Sequence, residues 1–336
     1  MPEISIAFQT NKRASDYIAL AKHVNQYAFD RVSVYCDAPY HPSYGPLILM
    51  APHITRARLG SAAVSPARMA PIDMAADAAL LDDVAPAGSY LGISRGAWLG
   101  DHGISEPRQP IQAIRESIDI IKLLWSGQSA AYHGKVYQIA DHVRAGYPLP
   151  SRPIPIMVGS WGAKLCAVAG ELADEVKIGG SANPDVIPFI RDYIGAGEDV
   201  AGRPRGTVEV AIGAVTVIDS DRAAARQAAR QSAVLYLPVV APLDPSVQVD
   251  PELIARLQQH AEANDFAGGA RLISDDLLDK FAFSGDATDL IRQCEALYAA
   301  GADRIELGTP HGLTQAGTGI DLIGQRVIPA LKSWLK

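Results

Sequence analysis

Strand-like and helix-like segments alternate along this chain, and this alternation restricts the possible fold more than any other feature. Short apolar runs rich in β-branched residues, bounded by glycine, proline or acidic residues, predict strands. They lie at residues 4–8, 32–35, 57–64, 90–93, 154–158, 175–178, 208–218 and 304–307. Amphipathic helical periodicity follows most of them. Because repeated β–α units build parallel sheets, and eight units without a reversal favour closure, the sequence predicts a (β/α)8 TIM barrel.

Two segments interrupt the alternation. Residues 126–152 contain the hairpin-like run AYHGKVYQIA, and residues 238–282 are rich in proline, glycine and acidic residues. In a barrel such segments are insertions at the catalytic end, where they can cover a site. Since no stretch has the composition of an interdomain linker, we expect one domain over residues 1–336.

Charge and composition narrow the possible partners. The net charge of −7 disfavours nucleic acid, because phosphate binding needs clustered lysine and arginine. No uninterrupted apolar run would span a membrane, no signal-peptide pattern opens the chain, and the three cysteines show no CxxC spacing. The histidines have no HxxxH or HExxH spacing, so no metal site is expected. These patterns favour a cytoplasmic protein that binds a small molecule.

Glycine-rich turns follow two successive predicted strands. Gly159, Ser160 and Trp161 end one strand, and Gly179 and Gly180 end the next. Backbone N–H groups at such a turn, together with the positive end of the following helix, suit an anion. Either turn alone is ordinary turn chemistry. Two on adjacent strands at the same end of a barrel predict a phosphate site, approached through the N–H groups of Gly159 and Gly180.

A third turn has two interpretations. Gly92, Ser94 and Arg95 lie in the run GISRG, which fits the G-x-S-x-G nucleophile elbow of a serine hydrolase, with His311 as a possible base. An elbow must lead directly into a helix, whereas the next regular helix here is predicted only from about residue 111. In a barrel the same residues form a glycine-lined loop at the catalytic mouth. A hydrolase using Ser94 remains the alternative from another class.

Residues 60–99, 155–184 and 266–312 together resemble the bacterial-luciferase-like superfamily, in particular its deazaflavin-dependent group typified by methylenetetrahydromethanopterin reductase. The resemblance implies a barrel that binds coenzyme F420, or alternatively FMN, at the carboxyl ends of its strands. It implies a non-prolyl cis peptide at Ala62–Ala63 behind the ring, and a phosphate against the two glycine turns. It also implies a homodimer and hydride transfer to an organic substrate.

The same resemblance leaves other activities open. An FMN-dependent monooxygenase would need O2 and a separate flavin reductase, and a barrel that binds flavin without catalysis is a further alternative. The reductase group carries an acid in its first strand that serves the pterin imine, but Ala7 falls at that position here. The substrate is therefore left undetermined.

Hydride transfer also moves a proton, so a titratable group is expected near the ring. Asp37 and His41, on the loop after the second strand, are the first candidates, and His311 is the next. Glu175 and Lys177 share one face of the sixth strand, because side chains alternate along a strand. We expect both inside the barrel, where they would pair with each other.

Overall fold

The computed structural model describes residues 2–334, so the predicted domain limits at residues 1 and 336 lie outside the described residues. Eight parallel strands, numbered here β1 to β8, form a closed ring in chain order, and β8 pairs back with β1. They span Glu3–Phe8, Arg31–Val34, Arg58–Ser61, Ser89–Ser94, Ile156–Gly159, Glu175–Gly179, Glu209–Ile218 and Arg304–His311. The predicted (β/α)8 TIM barrel is confirmed.

Helices α1 to α13 surround this ring. They span Ala14–Val24, Tyr44–Met50, Pro71–Val84, Pro110–Trp125, Ala163–Leu172, Ile187–Val200, Arg222–Val240, Pro251–Glu262, Phe266–Ala270, Asp275–Phe281, Ala287–Ala299, Ala316–Leu322 and Ile328–Trp334. A side chain caps several of them: Asp221 accepts the N–H of Ala224 at the start of α7 (3.0 Å). No helix within residues 2–334 is long and apolar enough to cross a bilayer.

The third strand is shorter than its sequence pattern indicates. It ends at Ser61, and the Ala62–Ala63 peptide bond that follows is cis, as the resemblance implied. Val64 then makes a single bridge to Ile93 of β4. The last strand is longer than predicted, because its pairing with β7 resumes at His311 after an irregularity beyond Gly308.

The first insertion carries the expected hairpin. Strands Tyr132–His133 and Gln138–Ile139 pair antiparallel. Its turn rests on Glu116 of α4, a fully buried side chain whose carboxylate accepts the N–H groups of Lys135, Val136 and Tyr137 at 2.6, 2.9 and 2.8 Å. Although burial opposes ionisation, Gln112 and these N–H groups hold the pKa of Glu116 below its usual range.

The second insertion is more regular than its composition indicated. Helix α7 continues to Val240, and α8, α9 and α10 follow it. Strand Ala282–Gly285 then pairs in parallel with β7, outside the ring of eight. These elements enclose a second hydrophobic core, which includes Leu257, Leu278 and Phe281.

Candidate functional site

The carboxyl ends of the strands form the mouth of the barrel, where TIM barrels carry their sites. The turns after β5 and β6 meet there. The indole Nε1 of Trp161 donates to the carbonyl of Gly179 (2.9 Å), which joins the two turns. Gly159 lies beside Ser94, and a Cβ added at Gly159 would lie 3.2 Å from the Cβ of Ser94. Gly179 is exposed, with open space where its Cβ would be.

Two backbone N–H groups in these turns, one of them the N–H of Gly180 expected at the phosphate, already have partners in the protein. The N–H of Gly180 donates to the carbonyl of Gly213 (2.7 Å), and the N–H of Ser160 donates to the carbonyl of Lys177 (3.1 Å). Gly180 is needed instead for its positive φ of 80°. The N–H of Gly180 is therefore not an open donor in this structure, and its proposed contact with phosphate would require that bond to break.

The first turn of α5 offers amides in their place. The N–H groups of Leu165 and Cys166 both donate to the carbonyl of Gly162. The N–H groups of Ala163 and Lys164 precede them in the first turn, have no carbonyl partner inside the helix, and belong to exposed residues. Since they lie directly after Gly159, Ser160 and Trp161, the start of α5 offers the open donors that an anion-binding site needs.

The GISRG residues have three separate roles. Gly92 is buried, and a Cβ there would lie 2.0 Å from the carbonyl oxygen of Ser61, so it allows β4 to approach β3 just before Ala62. The Oγ of Ser94 accepts the N–H of Gly96 (3.3 Å), and no histidine within residues 2–334 hydrogen-bonds to it. Arg95 is half exposed and forms a bidentate pair with Glu106 at 2.7 and 2.8 Å. The serine-hydrolase arrangement is thus not assembled.

The loop after β2 lies beside the residues that follow β1. Asp37 is partly buried, and its carboxylate accepts the side-chain amide of Gln9 (3.0 Å). His41 is exposed, and its backbone N–H donates to the carbonyl of Thr10 (3.1 Å). Both candidates therefore stay available at the mouth, and their catalytic roles remain predictions.

His311 does not lie on an open loop as expected. It is the last residue of β8, it is fully buried with φ of 74°, and its ring packs edge-on against Phe8. Its Nε2 lies 3.2 Å from the carbonyl of Leu307, while Nδ1 has no hydrogen-bond partner within residues 2–334. Burial lowers the pKa of His311 to about 4, so the ring is neutral at pH 7.

Glu175 and Lys177 are inside the barrel as predicted, but they do not pair with each other. Glu175 pairs with Arg304 of β8, with an Nε–Oε2 distance of 3.0 Å, and with Arg31 of β2, also at 3.0 Å. Lys177 pairs with Glu306 of β8. Opposite charges across the ring neutralise one another, whereas residues two apart on one strand lie in different layers.

Arg304 and Glu306 were not expected as these partners. Arg304 and Glu306 alternate with Ile305 and Leu307, the same pattern that placed Glu175 and Lys177 in the lumen. The alternation could therefore have identified them. Glu306 also accepts the hydroxyl of Ser33. Although burial opposes its ionisation, Lys177 and Arg304 hold the pKa of Glu306 at about 2.

Tyr35 and Lys177 lie next to each other near the carboxyl ends of β2 and β6. The ammonium of Lys177 lies 5.4 Å from the centroid of the Tyr35 ring. Glycines make room for both: a Cβ at Gly213 would lie 3.4 Å from Cε of Lys177, and a Cβ at Gly308 would lie 2.5 Å from Oη of Tyr35. Burial, followed by the charge of Glu306, raises the pKa of Tyr35 well above its usual value.

The other end of the barrel has a cavity of about 290 Å³, lined by Arg31, Tyr90, Met157, Glu175 and Glu209 among others. It lies at the amino ends of the strands, away from the predicted site residues. Within residues 2–334, no three His, Cys, Asp or Glu side chains cluster as a metal site would require.

The protein is thus a closed (β/α)8 barrel. Its mouth combines glycine-rich turns, a cis peptide after β3 and open amides at the start of α5. The sequence model of the family described as luciferase-like monooxygenase matches residues 3–304. The chain therefore belongs to this family and is an enzyme.

Individual relatives agree with this assignment. The chain is 28% identical over 298 residues to 5,10-methylenetetrahydromethanopterin reductase of Archaeoglobus fulgidus, covering 86% of this chain and 87% of the relative. It is 28% identical over 198 residues to F420-dependent glucose-6-phosphate dehydrogenase of Kineococcus radiotolerans, covering 56% and 57%. The solved structure of the coenzyme F420-dependent tetrahydromethanopterin reductase of Methanopyrus kandleri superposes with a TM-score of 0.87 at 23% identity, covering 98% and 99%, and supports the fold.

Proposed function

We propose that this protein is an F420-dependent oxidoreductase that transfers a hydride between a deazaflavin and an organic substrate. The observation that carries the proposal is the mouth itself, where the small residues Ala62 and Ala63 follow the end of β3, the open start of α5 follows β5, and Gly179 with open space beside it ends β6. Relatives named as F420-dependent, or as reductases of the same group, match most or about half of the chain.

The residues at the mouth fit this cofactor. The amides of Ala163 and Lys164 would hold the phosphate, and Gly159, Ser160, Trp161 and Gly179 would border it. Ala62 and Ala63 would support the ring, because side chains this small leave the backbone accessible to a flat ligand. The bound deazaflavin supplies the hydride chemistry, while the protein positions it and excludes water.

The substrate is an organic small molecule of undetermined structure. Ala7, fully buried in β1, offers no carboxylate where the reductase group uses one. Reduction of a methylene-pterin is therefore not part of the proposal. Asp37 and His41 are the proposed proton-transfer residues, because their loop borders the mouth. A cytoplasmic location and a homodimer complete the proposal.

One alternative has support of its own. The family description names monooxygenases, so an FMN-dependent monooxygenase supplied by a separate flavin reductase is the second candidate. The same mouth would receive FMN, because both cofactors carry a flat ring and a phosphate.

Cofactor retention separates these candidates. The purified protein is incubated with oxidised F420 or with FMN, passed through a desalting column, and examined by absorbance spectroscopy. We expect stoichiometric retention of F420 and weaker retention of FMN. Retention of FMN alone would favour the monooxygenase, and retention of neither would contradict the proposed function.

A further inference from the structure

Two rows of inward-facing side chains lead to the mouth on the side of β1 and β2. Ser5 of β1 and Ser33 of β2 face the lumen, where both hydrogen-bond to the buried charges of β8. Because side chains alternate along a strand, the same rows reach Gln9 and Asp37 four residues further on. The side-chain amide of Gln9 donates to the carboxylate of Asp37 (3.0 Å). This pair therefore lies on the lumen side of the mouth.

Two cations border the pair. Lys12, in the turn after β1, donates through Nζ to the carbonyl of Gln9 (2.9 Å) and to the side-chain oxygen of the neighbouring asparagine (2.8 Å). Arg68, in the turn after β3, donates through Nη1 to the carbonyl of Cys36, the residue before Asp37. The turns after β1, β2 and β3 thus bring an ammonium and a guanidinium to one side of the mouth.

Neither cation is paired with a carboxylate within residues 2–334. Lys12 donates only to neutral oxygens. Arg68 uses only Nη1, which contacts the carbonyl and the thiol of Cys36, so its Nε and Nη2 groups have no hydrogen-bond partner among the described residues. By contrast, Arg95 in the turn after β4 forms a bidentate pair with Glu106. The donors of Lys12 and Arg68 are therefore open to a ligand.

Partial burial makes an anion favourable here. Both side chains are partly buried. Burial lowers the pKa of Lys12, whereas the charge of Asp16 on α1 acts in the opposite direction. A cation that loses water without gaining a carboxylate is stabilised when an anion takes that place. Since Asp37 supplies one negative charge beside two positive ones, the cluster keeps an excess positive charge that attracts anions.

The cluster lies across the barrel from the proposed phosphate position. In a ring of eight strands, β1 stands opposite β5 and β2 stands opposite β6. The open amides at the start of α5 follow β5, and Gly179 ends β6. Lys12 follows β1, and Arg68 reaches back to the end of β2. The cofactor phosphate is thus served from one side of the mouth, and the two cations are left for another molecule.

We propose that Lys12 and Arg68 bind an anionic group of the substrate, which is therefore an organic acid or a phosphate ester. This inference rests on the proposed function and names the substrate class that the proposed function leaves open. The open edge of the Arg68 guanidinium suits two oxygens of a carboxylate or phosphate, and Lys12 adds a point charge. Asp37 then lies beside the bound substrate, as its proposed role in proton transfer requires.

Calorimetric titration with small anions tests the inference without any turnover. The protein is first saturated with F420, which occupies the phosphate position, and is then titrated with inorganic phosphate or with succinate at constant ionic strength. We expect saturable binding of at least one of the two probes. The probe that binds more tightly distinguishes a phosphate ester from a carboxylate.

Four variants locate the bound probe. Lys12→Met and Arg68→Met should each weaken probe binding about tenfold, the usual loss for one charged hydrogen bond, and should leave the affinity for F420 unchanged. Arg68→Lys keeps the charge without the planar fork and should weaken binding less. Lys22→Met, on the exposed face of α1, is the surface control and should bind as the wild type does. If Arg68→Met does not fold, Lys12→Met decides the test.

An F420-saturated wild type that binds neither probe would overturn the inference and leave the proposed function in place. Probe binding that both methionine variants retain would have the same meaning. A tenfold loss of F420 affinity in these variants would reject the inference as well, because it would assign the cations to the cofactor. If the protein does not retain F420, the proposed function fails. Titration without cofactor then still decides whether the two cations bind anions, since probe binding must weaken in both variants if they do.

Discussion

At the scale of single residues, Gly179 gives the cleanest test of the cofactor site. A Cβ at this position would meet no protein atom within 4 Å, so a larger side chain fits the fold and occupies only the mouth. We expect Gly179→Val to weaken binding of F420 by about tenfold or more, because the side chain fills the space that the ligand needs. Fluorescence titration measures this, with the melting temperature as a check on folding.

Gly146 provides the matched control for that experiment. It is also free of neighbours within 4 Å, and it lies in the first insertion. Gly146→Val should leave affinity unchanged. A variant at Gly159 would be harder to interpret, since an added Cβ there would lie only 3.2 Å from the Cβ of Ser94. Unchanged affinity in Gly179→Val would place the cofactor elsewhere.

His311 makes a second prediction, about pH. Its folded-state pKa of about 4 lies below the value near 6.5 of an unfolded chain, so the unfolded state takes up the proton first. Stability from this residue is therefore fully present above pH 6.5 and is lost as pH falls toward 4, by up to about 3 kcal/mol.

The measurement compares wild type with His311→Asn, since asparagine tolerates a positive φ. Urea unfolding is measured at several pH values. The free energy of unfolding of the wild type should approach that of His311→Asn as pH falls from 6.5 to 4. If the free energies of unfolding of the two proteins ran parallel over that interval, the pKa of His311 would not be lowered in the folded protein. Sequence reasoning identified this histidine but not its environment, because β8 was expected to end before it.

At the scale of elements, the hairpin at residues 132–139 depends on one carboxylate. Glu116 accepts three of its backbone N–H groups and is itself fully buried. We expect Glu116→Ala to destabilise the protein by about 2 kcal/mol, because hydrogen bonds to a charged acceptor are strong and three part-buried donors lose their partner. The hairpin should also become the first site of cleavage in limited proteolysis.

Glu262→Ala, at the exposed end of α8, is the control for this change. It should alter neither the melting temperature nor the cleavage pattern. Should Glu116→Ala leave the hairpin protected, its strands must be held by packing rather than by the carboxylate. The sequence indicated the hairpin but gave no sign of Glu116, because the contact joins elements that only the fold brings together.

At the scale of the whole molecule, the periodic elements and the hairpin of the first insertion were predictable, and the elements of the second insertion were not. All eight strands of the ring lie at positions that apolar runs and their boundaries predicted, because their burial demands an unbroken apolar face. Residues 238–282 contain three helices and lead into the added strand. Their glycine, proline and acid content did not indicate these regular elements. The hydrogen bond of the Gly180 N–H was not predictable either, because its acceptor is Gly213 of a neighbouring strand.

The two hydrophobic cores bear on the number of domains. The second core contains Val217 of β7 and Ala282 of the added strand, so it adjoins the barrel through the sheet. We propose that the chain forms one domain with two insertions. Because shared sheet pairing couples the two cores, urea unfolding followed by far-UV and tryptophan signals should give coincident transitions.

Helix α3 carries the prediction for assembly. Ile72, Leu80 and Val84 lie on one face of it and are 45%, 55% and 36% exposed, an uncommon amount for residues of this size. The spacing of eight and then four residues keeps them in one stripe, and a symmetric dimer can bury such a stripe against its own copy. We therefore expect a homodimer at micromolar concentration, measured by light scattering coupled to size exclusion.

Substitution of this stripe tests the interface directly. Leu80→Glu should convert the dimer to a monomer of 35.7 kDa without loss of helical signal, because the side chain contacts mainly solvent within one protomer. Leu235→Glu, on α7 and 54% exposed, removes a comparable apolar side chain elsewhere and should leave the dimer intact. A monomeric wild-type protein would reject the dimer outright, whereas a dimer that survives Leu80→Glu but not Leu235→Glu would move the interface from α3 to the side of the barrel next to the second insertion.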